Sequence, residues 1–114
     1  MGEPKTKKNS QRIVMCGKFP KIMPSKAYCD YEKEALWQLA GKRYGIDGRV
    51  EVRCLYYMKT KRKVDLTNLL EATDDILVKA GVLADDNSNI IYSHDGSRVF
   101  VDRLCPRVEI EIHG

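Results

Sequence analysis

The sequence predicts an α+β fold in which two helices pack on a mixed β-sheet. The hydrophobic pattern along the 114 residues runs strand, helix, strand and helix, and then through three further short strands. A chain of this length suits one ordinary domain with a single core. We therefore expect one folded domain over residues 12–114, preceded over residues 1–11 by a disordered basic arm that lacks hydrophobic periodicity.

Two strands are predicted in the first half of the chain. The short apolar run Arg12–Cys16 is typical of a strand that pairs into a sheet. Residues 18–24 contain two prolines, so we expect a loop there. Residues 50–57 are β-branched and aromatic and lie between turn signals, which predicts a long strand.

Both helices are predicted by capping signals and by apolar residues at helical spacing. Ser25 is a favourable N-cap for the first helix, whose pattern ends at Gly45 or Gly48. The second helix begins near Asp65 and ends at Gly81. The periodic apolar positions are Tyr28, Tyr31, Ala35 and Leu39 in the first helix, and Leu66, Leu69, Leu70, Thr73, Ile76, Leu77 and Ala80 in the second.

Three short strands are expected after the second helix, over Ile90–Ser93, Arg98–Asp102 and Val108–Ile112. The dipeptide Asp95-Gly96 is typical of a hairpin turn. We therefore expect it to join the first two of these strands, so that the three form a meander.

Charge and cysteine content favour a cytosolic protein that contacts polyanions. Twenty Lys and Arg against sixteen Asp and Glu give a net charge of +4, concentrated in the arm and in the run 59–63. The cysteines form no Cys-x-x-Cys pair and lie at no zinc-ligand spacing to a histidine, so we expect reduced, mostly buried thiols. The sequence contains no signal-like or membrane-spanning apolar segment, and the expected location is the cytoplasm. The four cysteines are Cys16, Cys29, Cys54 and Cys105.

Isolated carboxylates lie beside this cationic run in the centre of the chain. Lys59 and Lys61-Arg62-Lys63 precede Asp65, and Asp85-Asp86 follows further on. Mg²⁺ binds through one or two carboxylates together with water and substrate phosphate, and neighbouring cations hold that phosphate. The pattern indicates a metal-dependent phosphodiesterase acting on nucleic acid, provided that folding brings Asp65 and Asp86 close enough to share a cation.

Each of these residues also has a purely structural interpretation. Asp65 is placed to cap the second helix by accepting a backbone N–H from Thr67 or Asn68. Asp85 and Asp86 lie in a polar turn, where aspartate is common for backbone reasons. The basic run is also typical of a solvated strand end.

The same residues resemble the RusA-type crossover-junction endodeoxyribonucleases, a family that resolves four-way DNA junctions. That family carries a basic run, then Asp-x-Asp-Asn-Leu at the start of a helix, an Asp on that helix, a Gly and an Asp-Asp pair. The corresponding residues here are Lys61-Arg62-Lys63, Asp65-Leu66-Thr67-Asn68-Leu69, Asp75, Gly81 and Asp85-Asp86. The segment 25–28 with its helix and the strand 108–112 are also similar, so the resemblance covers most of the chain after residue 12.

The resemblance implies a homodimer that binds a Holliday junction and uses Mg²⁺ to make paired symmetric nicks. The implied metal ligands are Asp65, the position of Thr67, and Asp86, with Asp85 orienting a water or a ligand. Thr67, Asn68 and Asp75 would support these ligands. The implied DNA-binding residues are Lys59, Lys61, Arg62 and Lys63.

The sequence departs from the family pattern at Thr67 and Glu71. Thr67 stands where the second aspartate of the motif is expected, and a hydroxyl is a weaker ligand for a hard cation than a carboxylate. Glu71 replaces a family lysine and lies one helical turn from Thr67, so it is a candidate to supply the missing carboxylate, with Asp74 on the same flank. The alternative is a site whose metal binding is weakened or lost.

Three functions remain open from the sequence. The first, which we favour, is an active structure-selective nuclease. The second is a junction-binding protein of the same fold that has lost its metal, and the third is an interaction protein whose charged clusters only solvate its surface. Tyr56 and Tyr57 are candidates to stack on bases opened at a junction, although adjacent strand residues are usually one in the core and one on the surface.

Overall fold

The structure is a computed structural model that describes residues 3–5, 11–16 and 19–114. It has the two helices and the sheet expected of an α+β domain, whereas most of the predicted basic arm, 1–11, lies outside the described residues. In chain order the elements are β1 Gln11–Cys16, β2 Phe19–Pro24, α1 Lys26–Gln38, β3 Val50–Met58, α2 Leu66–Lys79, β4 Ile91–Ser93, β5 Arg98–Val101 and β6 Arg107–His113.

Strand β3 is the centre of a four-stranded sheet. β6 pairs antiparallel with one edge of β3 over residues 51–57, whereas β4 and β5 pair parallel with the other edge, β4 near Val50 and β5 over residues 55–58. The predicted mixed sheet is therefore confirmed. Because every second residue of β3 is buried, one face of the sheet carries the core and the other faces outward.

The hairpin predicted at Asp95-Gly96 is wrong. β4 and β5 do not pair with each other but continue one another along the same edge of β3, with Val50 opposite Ile91 and Leu55 opposite Arg98. Helix α2 returns the chain to the start of β3, so the strands that follow it run parallel to β3. Gly96 turns the chain between them with a φ of +81°, which glycine adopts without strain.

The loop predicted over residues 18–24 is also wrong, because β1 and β2 form an antiparallel hairpin. Met15 lies opposite Pro20, and Cys16 lies opposite Phe19. Proline lacks an N–H, but in a two-stranded ribbon each strand has one free edge toward which that position can face. The prolines therefore do not exclude a strand here.

Helix α1 begins as predicted and ends earlier. Tyr28 N donates to Ser25 Oγ at 3.1 Å, which confirms the N-cap. The helix ends at Gln38 rather than near Gly45, and Gly41 follows with a φ of +86°. A glycine with a left-handed conformation just beyond the last turn commonly ends a helix. The sequence analysis placed the end of the helix at Gly45 or Gly48 because it did not take Gly41 as the stop signal.

Helix α2 matches its predicted bounds and packs across β3. Gly81 follows its last turn with a φ of +78°, as expected of a C′ glycine. Thr73 Oγ1 donates to Leu69 O at 2.9 Å and lies 2.6 Å from the Tyr56 hydroxyl, so the Tyr56 O–H donates to Thr73. This buried pair fixes the middle of α2 against the second half of β3.

The core lies between the inner face of the sheet and the two helices. The fully buried large side chains are Tyr28, Tyr56, Leu69, Leu77, Leu83, Val52 and Cys54. A second cluster joins the helices and consists of Tyr28, Tyr31, Ala35, Ala72 and Ile76. Both helices therefore cover the same face of the sheet, and neither helix covers the outer face.

The cysteines are only partly as predicted. Among the described residues Cys29, Cys54 and Cys105 form no disulfide bond, but only Cys54 is buried; Cys29 is half-buried and Cys105 is exposed. Burial raises the pKa of Cys54 to about 12, so this side chain stays a neutral thiol. The side chain of Cys16 lies outside the described part of the structure. No helix in the described ranges is both long enough and apolar enough to cross a membrane.

Candidate nucleic-acid and metal site

The basic run forms an exposed loop between β3 and α2. Lys59, Lys61, Arg62 and Lys63 are all exposed, and within the described part of the chain none of these side chains pairs with an acid. The loop is anchored through its main chain, since Lys59 N donates to Glu3 Oε2 at 2.7 Å. The four cationic side chains are thus available to a polyanion.

Asp65 is the N-cap residue of α2, but its carboxylate does not form the predicted capping bond. Its backbone carbonyl accepts from Asn68 N at 3.1 Å and from Leu69 N at 3.2 Å. Among the described residues, its Oδ2 accepts only from the Asn68 side-chain amide, at 3.2 Å, and the residue is exposed. The purely structural interpretation is therefore wrong in detail, and a solvent-facing carboxylate lies at the positive end of a helix.

Thr67, Glu71 and Asp75 follow one another at intervals of one helical turn along α2. Thr67 and Glu71 are exposed and Asp75 is half-buried. Asp74, which the sequence placed on the flank of Glu71, is instead bound to His94, whose Nε2 lies 3.0 Å from Asp74 Oδ2. Of the two acids considered as substitutes for the missing ligand, only Glu71 faces solvent.

Asp85 and Asp86 lie in the exposed loop before β4, where Asp85 organises the turn. Its Oδ1 accepts from Asp86 N at 2.7 Å and its Oδ2 from the Asn87 side chain at 3.1 Å. The pKa of Asp86 is raised by loss of solvation, by its hydrogen bond with Asp85 and by the negative charges of Asp75 and Asp85. The structure therefore gathers Asp75, Asp85 and Asp86 into one electrostatic group.

Asp65 and Asp86 lie at opposite ends of the β3–α2–β4 unit. Asp65 follows the end of β3, whereas Asp86 precedes β4. The residue before β4 lies at the start of β3, because Val50 N donates a hydrogen bond to Ile90 O at 2.6 Å. β3 has nine residues and spans about 30 Å. Asp75 is one of the two carboxylates whose negative charge raises the pKa of Asp86, and it lies about 15 Å from Asp65 along the α2 axis. Asp65 and Asp86 therefore lie at opposite ends of α2 in one chain, and the expectation that they share a cation stays a prediction.

The donor chemistry of both acidic regions suits a hard divalent cation. Asp65 offers an exposed carboxylate, and the Asp75, Asp85 and Asp86 group collects negative charge that a cation would relieve. In residues 3–5, 11–16 and 19–114, no group of three or more His, Cys, Asp or Glu side chains is arranged to hold a metal ion. Each region fits Mg²⁺ as a source of one or two ligands, which is how this ion commonly binds when water and phosphate complete its shell.

A half-buried pair, His94 and Asp74, joins α2 to the sheet and was not revealed by the sequence. His94 Nδ1 lies 2.8 Å from Val52 O and Nε2 lies 3.0 Å from Asp74 Oδ2. The Val52 carbonyl can only accept, so Nδ1 donates to it, and Nε2 donates to the Asp74 carboxylate when the imidazole is protonated. The hydrogen bond that His94 donates to the Asp74 carboxylate raises the pKa of His94. The two residues are far apart in the chain, and no local motif marks them.

The outer face of the sheet carries a second feature that sequence reasoning missed in part. Tyr57 lies between Arg107, whose Cζ is 3.9 Å from the ring centroid, and Phe100, whose ring is 5.1 Å away and tilted by 19°. We call these three side chains the aromatic stack. Tyr56 is buried, so only Tyr57 of the two predicted tyrosines faces outward. Phe100 carried no signal in the sequence beyond its place in a strand.

Comparison with known proteins identifies the family. A family model described as Endodeoxyribonuclease RusA matches residues 2–113, nearly the whole chain. The chain therefore belongs to this family, which confirms the resemblance seen in its motifs.

A curated relative supports the assignment. The crossover junction endodeoxyribonuclease RusA of Aquifex aeolicus (strain VF5) is 30% identical to this chain over 69 residues. The match covers 59% of this chain and 55% of the relative, so the chain spans about half the length of the curated relative it matches.

Proposed function

We propose that the protein is a Mg²⁺-dependent, structure-selective endonuclease that resolves Holliday junctions by paired symmetric phosphodiester cleavage in DNA recombination and repair. One observation carries this proposal within the RusA family: the exposed basic loop leads directly into the exposed carboxylate of Asp65 at the positive end of α2. A DNA phosphate held by the loop would lie beside an oxygen ligand suited to a hard cation.

The basic loop binds the DNA backbone in this proposal. Lys59, Lys61, Arg62 and Lys63 neutralise successive phosphates and release counterions, so affinity falls steeply as salt is added. These contacts carry little sequence information, which suits an enzyme that selects DNA by its branched shape.

The acidic residues hold the cation and position the attacking water. Mg²⁺, when bound, supplies a Lewis acid for the scissile phosphate and lowers the pKa of a coordinated water. Asp65 and Asp86 are the proposed ligands. Asp85 orients the water or a ligand, because its carboxylate is already held by Asp86 N and Asn87. Asn68 holds the Asp65 carboxylate in the same way.

A homodimer accounts for the distance between the two ligands. A site that uses both acids would take Asp65 from one copy and Asp86 from the other. The two-fold symmetry of a dimer then generates two equivalent sites, and two sites are what paired symmetric cuts require.

Glu71 is the proposed replacement for the carboxylate that Thr67 lacks. It is exposed and lies one turn along the same face of α2 as Thr67. In this proposal Glu71→Gln abolishes cleavage, whereas Glu71→Asp retains part of it because the charge remains. If both variants cleaved the junction at the wild-type rate, Glu71 would not be a ligand in the site.

A labelled four-way junction incubated with and without Mg²⁺ tests the activity. The wild type should nick it only with the metal, and Asp65→Asn and Asp86→Asn should leave it intact. Asp47→Asn, which alters an exposed acid outside both acidic regions, is the matched control and should cleave normally. Cleavage by Asp65→Asn at the wild-type rate would contradict the proposal.

Mixing the two inactive variants tests whether the site is shared between copies. A heterodimer of Asp65→Asn with Asp86→Asn contains one site with both substitutions and one site with neither. The mixture should therefore recover single nicks without paired resolution. A mixture as inactive as its components would show that each site is built from one chain.

A second function, junction binding without cleavage, is favoured by a single observation, the neutral Thr67 at a ligand position. It predicts that the wild type binds four-way junctions tightly and leaves them intact in both Mg²⁺ and Mn²⁺. The same gel assay separates it from the proposed nuclease.

A further inference from the structure

The aromatic stack crosses the outer face of the sheet and ends at an open position. Tyr57 lies opposite Arg107 of β6 on one side and opposite Phe100 of β5 on the other. Arg107 and Phe100 therefore cover the two faces of the Tyr57 ring, and Phe100 is the last member. No described strand pairs with the outer edge of β5, and no other described ring or cation covers Phe100.

The inner members of the stack are held rigidly. Arg107 Nε donates to Glu109 at 2.8 Å, and its terminal nitrogen donates to Asp102 at 2.8 Å. These carboxylates fix the guanidinium over Tyr57 and also neutralise its charge. Phe100 is 39% exposed even though its ring is stacked on Tyr57. The result is a preorganised apolar surface on which one more flat ring can stack favourably.

One positively charged side chain, Arg98, lies near that open position. Arg98 lies on the same face as Phe100, two positions earlier on β5 and so about 7 Å away along the strand. Arg98 is exposed, and no acid among the described residues pairs with it. An aromatic face beside an unpaired arginine is the combination that binds unpaired nucleotides, with the base on the ring and its phosphate on the cation.

The open position also lies next to the basic loop. Asp102 N donates to Met58 O at 2.8 Å, which holds the end of β5 against the end of β3. Lys59 directly follows Met58, so the aromatic stack and the proposed phosphate-binding loop share one end of the sheet. A strand of DNA held by the loop would therefore pass close to Phe100.

We propose that Phe100 is a stacking site for an unpaired base at the branch point of DNA, with Arg98 holding the adjoining phosphate. This inference rests on the proposed DNA binding, but it requires neither cleavage nor a metal. A base that leaves its stack at a junction loses its neighbours, and Phe100 supplies a replacement ring. The site thus favours branched DNA over a continuous duplex, in which every base is already stacked.

The test uses a four-way junction with 2-aminopurine at the branch point, in the absence of divalent metal. Wild-type protein should bind it and change its fluorescence as the base stacks. Phe100→Ala should weaken binding roughly tenfold and abolish the fluorescence change, while affinity for a continuous duplex stays within about twofold. Phe100→Trp should restore both signals, because the ring is retained.

Tyr92→Ala is the matched control. Tyr92 is a 50% exposed ring on β4 with the Arg49 guanidinium 4.8 Å from its centroid, so it resembles Phe100 in exposure and in its neighbouring cation. It lies outside the aromatic stack, and its loss should leave junction affinity within about twofold of the wild type. Thermal unfolding of each variant establishes that it is folded.

Three results would overturn the inference. They are an unchanged fluorescence signal in folded Phe100→Ala, an equal loss of affinity in Tyr92→Ala, and a change of oligomeric state in Phe100→Ala without a change in the base signal. The last would assign the ring to contact with a second copy. Binding that depends on Phe100 without any cleavage in Mg²⁺ would support this inference and reject the proposed nuclease, so the two are separable.

Discussion

Asp65 at the start of α2 and Asp74 in its second half are the same residue type in opposite surroundings. The Asp65 carboxylate is exposed and accepts only from a neighbouring amide, beside a cationic loop without acidic partners in the described structure. The Asp74 side chain is 14% exposed and is committed to His94, and its Oδ1 is buried without a partner in the described structure. Burial rather than residue identity separates a carboxylate available for chemistry from one that supports the fold.

The comparison also explains why acidic residues are poor functional markers by themselves. α2 and the loop after it contain aspartates that organise a turn, pair with a histidine, or face solvent. Only the last kind can bind a cation without breaking existing structure. The following changes test that distinction, beginning with the largest expected effect.

Asp65→Asn should separate activity from stability. Loss of a proposed metal ligand removes several kcal/mol of transition-state stabilisation, so junction cleavage should fall by at least about 10²-fold. The free energy of unfolding should change by less than about 0.5 kcal/mol, because the residue is exposed and asparagine is also a good N-cap. Initial cleavage rates and urea unfolding measure the two quantities. A large loss of stability would make Asp65 a structural residue like Asp74.

His94→Ala should give the reverse result. Removing a half-buried charged partner of Asp74 should lower the free energy of unfolding by about 1–3 kcal/mol, without changing cleavage per folded molecule. Lys26→Ala, which breaks the exposed pair with Asp30, is the control and should cost less than about 1 kcal/mol.

The stability contributed by His94 should also depend on pH. Its pKa is raised in the folded state, so the folded protein binds the proton more tightly than the unfolded chain does. The contribution is therefore complete below the ordinary histidine pKa and is lost as pH rises through the raised value. The wild type and His94→Ala differ in their free energies of unfolding, which urea unfolding measures. This difference should decrease between about pH 5.5 and about pH 8.5. If the difference in free energy of unfolding instead increased with pH, His94 would be neutral in the folded protein.

Tyr56→Phe should cost about 1 kcal/mol, because it removes the hydroxyl that donates to Thr73 inside the core. Tyr57→Phe, on the outer face, should have almost no effect on stability. Chemical denaturation of the two variants compares the free energy of unfolding contributed by the inner and the outer face of β3. Equal effects would contradict the assignment of opposite faces.

Asp86→Asn should produce the smallest change in stability, a slight gain in the free energy of unfolding near neutral pH. Because the pKa of Asp86 is raised on folding, its ionisation is less favourable in the folded protein, and the carboxylate destabilises the fold above that pKa. The gain should disappear at acid pH, where the aspartate is protonated in both states. Thermal unfolding across the pH range measures it. A loss of stability at neutral pH would show that the acidic group is favourable without a cation.

Local signals in the sequence were sufficient for much of the fold. Ser25 as a cap, Gly81 as a stop and the alternation in β3 were all recognisable, because each depends on residues close together in the chain. The hairpin at Asp95-Gly96 was misjudged because two parallel strands on one edge of β3 require knowledge of where α2 returns the chain. The strand at Phe19–Pro24 was missed because proline is compatible with an edge position.

The sequence proposes the residues of the candidate site, whereas their relative placement requires the structure. The basic run and Asp65 are adjacent in sequence, so their proximity was assured. Whether Asp65 and Asp86 meet depends on α2 acting as a crossover helix, which separates its two ends by the length of the helix. That separation is the reason why we propose a site shared by two copies of the chain.

The amino-acid sequence by itself determined the family, the two helices, the central strand and the cationic loop, since these follow from short-range patterns and from a motif of fixed spacing. Only the tertiary structure decided that Asp74 pairs with His94, that Tyr57 stacks on Phe100, and that Asp65 and Asp86 lie apart. The physical reason is that contacts between residues distant in the chain depend on how helices and strands pack, and that packing leaves no local trace in the sequence.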